Sequence, residues 1–105
     1  MATGDAPVLE TVAAINAESL ARTDLDDRSL ILVRLAALAA VDAPPVSYLL
    51  HVGAAMDSGV TVDDVQDVLV AVAPIIGTPR TMAAAAKIVE ALGVAIELAL
   101  EDDGE

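Results

Sequence analysis

From Ser29 to Val41 the chain reads SLILVRLAALAAV, with Arg34 its single charged residue. Wound as a helix, the segment is apolar on every side except at Arg34. A helix apolar all round has to be buried all round, so this stretch predicts the central helix of an all-α fold. It also sets a difficulty. A chain of 105 residues is one domain's worth, read here as a single domain over residues 1–105 with loose tails at 1–7 and 101–105. Such a domain buries about 65% of its unfolded-chain surface. The chain is 56% hydrophobic with mean hydropathy +0.66, yet Tyr48 is its only aromatic residue. Large rings usually fill small cores. Here Ala, Val, Leu and Ile must do it by close backbone approach. A homo-oligomer is the simplest cover for the apolar surface left over.

Seventeen acids against five bases give a net charge of −12. Phosphate binding needs clustered Lys and Arg, so nucleic acid and anionic membrane surfaces are not expected partners. The acids gather at Asp24–Asp27, Asp63–Asp67 and Glu101–Glu105, as helix starts and a tail. They match no calcium loop. There is no cysteine, which removes disulfides, thiolate nucleophiles and zinc–thiolate sites. No metal or cofactor is expected, and the cysteine usage fits a cytoplasmic protein. No signal peptide is read at the start. Arg34, Pro74 and Glu90 interrupt the best candidates for the roughly 18-residue apolar run that spans a bilayer.

Five helices account for the chain. The first runs from Val8 to Arg22. Asp26 caps the second, Asp27 to Val41, because an acid there accepts from free N–H groups at the positive helix end. Asp42-Ala-Pro-Pro stops it. The third runs from Pro45 to Asp57, since proline is tolerated in a first turn. Thr61-Val-Asp-Asp64 is close to a capping box. After it, Val65, Val68, Leu69, Val72 and Ile76 follow one helical face. The branched stretch VLVAVAPII could instead be a buried strand, but cap and period favour helix. Pro74 should kink or end it. Thr78 caps the last helix, Pro79 towards Leu100, which Gly93 either ends or merely weakens.

SYLLHVG, Ser47 to Gly53, holds the only histidine and the only tyrosine. On a helix, Ser47 and His51 face the same way and Tyr48 flanks them. Histidine gives and takes a proton near neutrality. A Ser–His pair also begins nucleophilic catalysis, although no orienting acid or oxyanion site is visible. Ser47, Tyr48 and His51 are therefore the candidate catalytic residues. The plainer alternative is a histidine that bonds a backbone carbonyl or an acid in a helix contact. Arg34 is the second anomaly, because a guanidinium in a buried helix is costly without an anion. Either it pairs with an acid, within the chain or across a subunit contact, or it holds a substrate carboxylate beside His51. Arg80, at a helix start, is a second candidate for substrate binding.

Asp27-Arg-Ser-Leu-Ile, Leu35-Ala-Ala-Leu-Ala-Ala, Leu50-His-Val-Gly-Ala-Ala-Met-Asp-Ser-Gly-Val-Thr, Asp64-Val-Gln-Asp-Val-Leu and Ala73-Pro-Ile-Ile-Gly-Thr-Pro follow one another in this order. Together they resemble the carboxymuconolactone decarboxylase family, which includes the alkylhydroperoxidase D-like proteins. The likeness spans Asp26 to Leu92. It implies an alkylhydroperoxidase D-like helical fold assembled as homotrimers, or hexamers of trimers. It also implies that His51 matches the histidine of the family's redox motif, CxxCxxxH. Pro44 and Ser47 then stand where the two cysteines would be, and Leu32 where the redox members carry a glutamate. With no thiol in the chain, peroxidase and disulfide-reductase chemistry is excluded. The decarboxylase branch, which removes carbon dioxide from a carboxylated lactone, has no need of cysteines. The resemblance thus leaves a lyase-type reading open, with His51 as proton donor and Arg34 or Arg80 as carboxylate holder.

Two readings follow. In one, a homo-oligomer binds a small organic acid at His51 and Arg34, and decarboxylates or isomerises it. In the other, a non-catalytic assembly or binding module uses both residues only to satisfy buried contacts.

Overall fold

The structure, a computed structural model, describes residues 6–103, with side chains described as far as residue 101. Every regular element among them is a helix: α1 (Ala6–Arg22), α2 (Asp27–Ala40), α3 (Pro45–Asp57), α4 (Val62–Ile76) and α5 (Thr78–Asp103). The all-α expectation holds, and VLVAVAPII is helical rather than a strand. Helix α1 starts two residues before the expected Val8, and α5 runs past Leu100. Ala6, Pro7 and residues 101–103 are therefore helical rather than tail. The expected tail residues 1–5 and 104–105 lie outside the described residues.

Local chemistry sets the boundaries. The Ser29 N–H donates to Asp26 Oδ1 at 2.6 Å and opens α2. Thr61 and Asp64 bond each other's backbone N–H groups at 3.1 and 2.9 Å, a full capping box at the start of α4. At the end of α2 the Asp42 N–H reaches the Ala39 carbonyl and the Ala43 N–H reaches that of Leu38. Asp42 takes φ 55° between them. That is a Schellman stop, with aspartate in the left-handed position glycine usually fills. The end of α3 repeats the pattern with Gly59 at φ 77°, where Gly59 bonds Met56 and Val60 bonds Ala55. Pro74 does not end α4, which continues to Ile76. The carbonyl it leaves without a helical donor is that of Val70, which is exposed and open to water. Gly93 does not end α5. At the start of α5 the Gly77 carbonyl accepts from Thr81, so Gly77 takes the capping position expected of Thr78.

Helices α2 to α5 form the body. Within it α2 touches α3, α4 and α5, as a central helix should. The core is Ile31, Leu35 and Ala39 of α2, Ala43, Tyr48 of α3, Leu69 of α4, and Ala84 and Ala91 of α5. The three alanines at helix contacts are almost fully buried, which is how thin side chains let backbones close up on one another. Leu35→Ala would cost about 2–5 kcal/mol, the range for emptying a buried leucine site. Against expectation, α2 is not buried all round. Val33 is 54% exposed and Ala37 also faces out. Helix α1 does not add cover: it buries no residue, and no α1 Cα lies within 8 Å of one in another described helix. One flank of α2 thus goes uncovered.

Candidate functional site

Pro44 enters α3 in an extended conformation and offers no side-chain cap. The first turns of α3 then carry Ser47 and His51 one above the other. It is the Ser47 backbone that His51 uses: Nδ1 lies 2.8 Å from the Ser47 carbonyl oxygen. A carbonyl only accepts, so Nδ1 carries the hydrogen. In the neutral ring the Nε2 lone pair is then free. The Ser47 hydroxyl does not bond His51 among the described residues, so the Ser–His pair suggested by spacing is not formed.

His51 borders two cavities. The first, of about 430 Å³, is a cleft between α1, α2 and α3. Its walls include Leu9, Val12 and Asn16 of α1, Ile31 and Arg34 of α2, and Leu50 of α3. Arg34 therefore joins His51 in one cleft. Its Nη1 donates to Asn16 Oδ1 at 2.6 Å and its Nη2 to Ser19 Oγ at 3.0 Å. Both partners are neutral. Arg22 pairs with Glu18, Arg28 with Asp64 at 2.7 Å and Lys87 with Asp42 at 2.6 Å. In a chain so rich in carboxylates, Arg34 faces none among the described residues. An acid of the same chain is thus not what Arg34 pairs with among the described residues.

The second cavity, of about 220 Å³, lies between α3, α4 and α5. Tyr48, Val65, Leu69 and Ile88 line it, with Gln66 and Thr61 as its other polar residues. Tyr48 is 2% exposed, and its hydroxyl has no hydrogen-bond partner among the described residues. Burial, then the Asp42 carboxylate, raises the phenol above its ordinary value, so it stays neutral. Tyr48 and Arg34 border different cavities, and His51 is common to both.

Ser47 and Arg80 line neither. Arg80 Nη1 donates to the Ala40 carbonyl at 2.6 Å, where a cation suits the negative end of α2. Lys87 and Asp42 sit at the same helix end, and the Lys87 bond holds the Asp42 carboxyl below its usual value. Asn16 and Ser19 were not read as site residues from sequence. Their only signal was spacing, two small polar residues three apart on one face of a helix that also carries Glu10, Thr11, Glu18 and Arg22. No group of three or more His, Asp or Glu side chains converges among the described residues.

A family model described as the carboxymuconolactone decarboxylase family matches residues 6–91. The match takes in α1, which lies outside the span from Asp26 to Leu92 that carried the resemblance. No curated protein and no solved structure matches the chain.

Proposed function

The chain belongs to the carboxymuconolactone decarboxylase family, and from that premise we propose that the cleft between α1, α2 and α3 binds a small organic acid. Arg34 holds the carboxylate and His51 moves a proton. One observation carries the reading: a guanidinium without an anion and an imidazole with a free Nε2 line the same largely apolar cleft. A carboxylate on Arg34 brings an opposite charge and two acceptor oxygens matched to the guanidinium fork, which the neutral Asn16 and Ser19 oxygens do not. The apolar walls suit a compact hydrocarbon or lactone body.

The chemistry open to this pair is acid–base chemistry. With Nδ1 tied to the Ser47 carbonyl, neutral Nε2 takes a proton from carbon and the imidazolium returns it to another, which isomerises an unsaturated acid. Decarboxylation uses the second half of that cycle. The C–C bond to a carboxylate breaks and releases carbon dioxide, its electron pair moves into an adjacent carbonyl as an enolate, and His51, protonated at Nε2 by solvent water beforehand, delivers that proton to the carbon. The carboxylate that leaves is a second one, because Arg34 stabilises the charge on the one it holds. Thiol peroxidase chemistry is closed to a chain without cysteine.

Binding and chemistry separate by mutation. Benzoate, followed by NMR titration against neutral benzamide, probes the anion site. Arg34→Leu is expected to weaken benzoate at least tenfold, the loss of a charge-assisted pair. His51→Ala is expected to bind benzoate still, but to abolish turnover of carboxylated lactones or unsaturated acids. Unchanged benzoate affinity in Arg34→Leu rejects the reading. A second reading, a non-catalytic binding module, is favoured by the His51 bond to its own helix, which a purely structural histidine would also make. Benzoate bound by the wild type with no turnover of any of these acids selects it.

We also infer a homo-oligomer, a trimer or a hexamer of trimers, with the site at or near a subunit contact. Large apolar side chains on every helix are exposed, with Leu50 at 77% and Ile75 at 85%. That supports association of copies over a lone subunit.

A further inference from the structure

The way Arg34 is held fixes the orientation of Asn16. A guanidinium only donates, so the Asn16 oxygen must face Nη1, as it does at 2.6 Å. The amide nitrogen is then turned away from Arg34, and no described residue accepts from it. Asn16 lines the cleft beside Arg34 and His51. Ser19, the other partner of Arg34, does not. Helix α1 itself buries nothing. It is joined to α2 by Thr23–Asp26, and its named hydrogen bonds to the body are those two from Arg34.

We propose that Asn16 is a second carboxylate-binding residue, and that a carboxylate bound between Arg34 and Asn16 fastens α1 over the cleft. The proposal rests on the cleft being the organic-acid site. One carboxylate oxygen takes the free edge of the Arg34 fork and the other accepts from the Asn16 amide. Helix α1 then gains a charge-assisted bond in place of its loose attachment. The ligand class is an organic acid with one carboxylate held by Arg34 and Asn16 and an apolar body, which the α1 residues Leu9 and Val12 cover as the helix closes.

Benzoate titration and amide hydrogen exchange test this on the whole chain and on Asn16→Ala, Ser19→Ala and Arg34→Leu. Because α1 buries no residue, the α1 variants should keep the circular dichroism of the wild type. Asn16→Ala is expected to weaken benzoate about tenfold, the loss of one bond to a charged group. Ser19→Ala should weaken it about threefold or less, since it only steadies Arg34. Benzoate should slow exchange at the amides of α1 in the wild type but not in Asn16→Ala, and benzamide should not slow it. Equal losses in Asn16→Ala and Ser19→Ala would make Asn16 a mere brace for Arg34 and overturn the proposal. So would α1 exchange that benzoate leaves unchanged or quickens. If Arg34→Leu loses benzoate while Asn16→Ala does not, this proposal falls and the organic-acid reading stands. If the wild type binds no benzoate, both fall.

Discussion

A histidine whose Nδ1 is committed to the carbonyl of Ser47 has one nitrogen left for work, and the residue borders both an apolar cavity and the cleft that Arg34 lines. The bond that could mark His51 as structural also fixes its tautomer, so a bland contact and a functional one are the same contact. Tyr48 poses the opposite case. Its hydroxyl is buried without a partner, and an unpartnered buried donor costs about 1–3 kcal/mol. Tyr48→Phe keeps the ring and removes that cost. Thermal unfolding should show a melting temperature equal to or above the wild type. A clear drop would mean that the hydroxyl meets a bridging water or a ligand in the cavity of α3, α4 and α5. At this scale the sequence was half readable. Isolation in apolar surroundings marked His51, Tyr48 and Arg34. The partners of Arg34 could not be found that way. An acid was the electrostatic expectation, whereas Asn16 and Ser19 are neutral, 18 and 15 residues away, and placed by a helix that packs on nothing. Arg80 was ambiguous for a related reason: a cation near a helix start also suits the end of a neighbouring helix, and here it bonds the last carbonyl of α2.

The helices were legible because their punctuation is local. Asp26, Thr61, Pro45 and Gly59 each act within a few residues, so α2, α3 and α4 begin within a residue of where the sequence puts them. Where the sequence left two outcomes open, helix length decided. Pro74 sits so near the end of α4 that its missing N–H disturbs a single exposed turn, and Gly93 is only one weak position in a long helix. The caps also set what acid does to the fold. Thr61→Ala should cost about 1 kcal/mol, visible as a melting temperature lower by roughly 4–8 °C for a domain of this size. Asp26 is held below its ordinary value by the Ser29 N–H, and Asp64 first by the Thr61 N–H and then by Arg28. A carboxyl depressed in the folded state stabilises while it is ionised. That stability is whole above the unfolded value near pH 4 and is lost as pH falls through the lower folded values. Denaturant melts at neutral pH and at stepwise lower pH should therefore show a fall starting near about pH 4. Asp64→Asn should show a shallower one. An acid limb unchanged by Asp64→Asn would mean that the cap is idle.

For the whole molecule the arithmetic points outward. The accessible surface is 7173 Å², against about 5,500 Å² for a folded monomer of this mass. The radius of gyration is 15.0 Å, against about 13 Å for a compact domain of this length. Helix α1 standing off the body adds to both, and so does exposed apolar helix surface, the flank of α2 at Val33 included. One chain cannot be both apolar all round and buried all round, and the uncovered flank is where the sequence-level rule asks for a second copy. Charge opposes that step, because every copy brings −12. Apolar burial does not depend on screening, whereas repulsion between copies does. Raising the salt should therefore tighten the assembly. Sedimentation velocity at about 0.01 M and about 0.3 M ionic strength should show the trimer or hexamer persisting to lower protein concentration at the higher salt. Benzoate should act in the same direction if fastening α1 completes the contact surface. Salt that loosens the assembly would put ion pairs, not aliphatic faces, at the contact. A monomer at every salt concentration would leave the exposed flank of α2 without its second copy, and would return the site to a cleft that one chain must close alone.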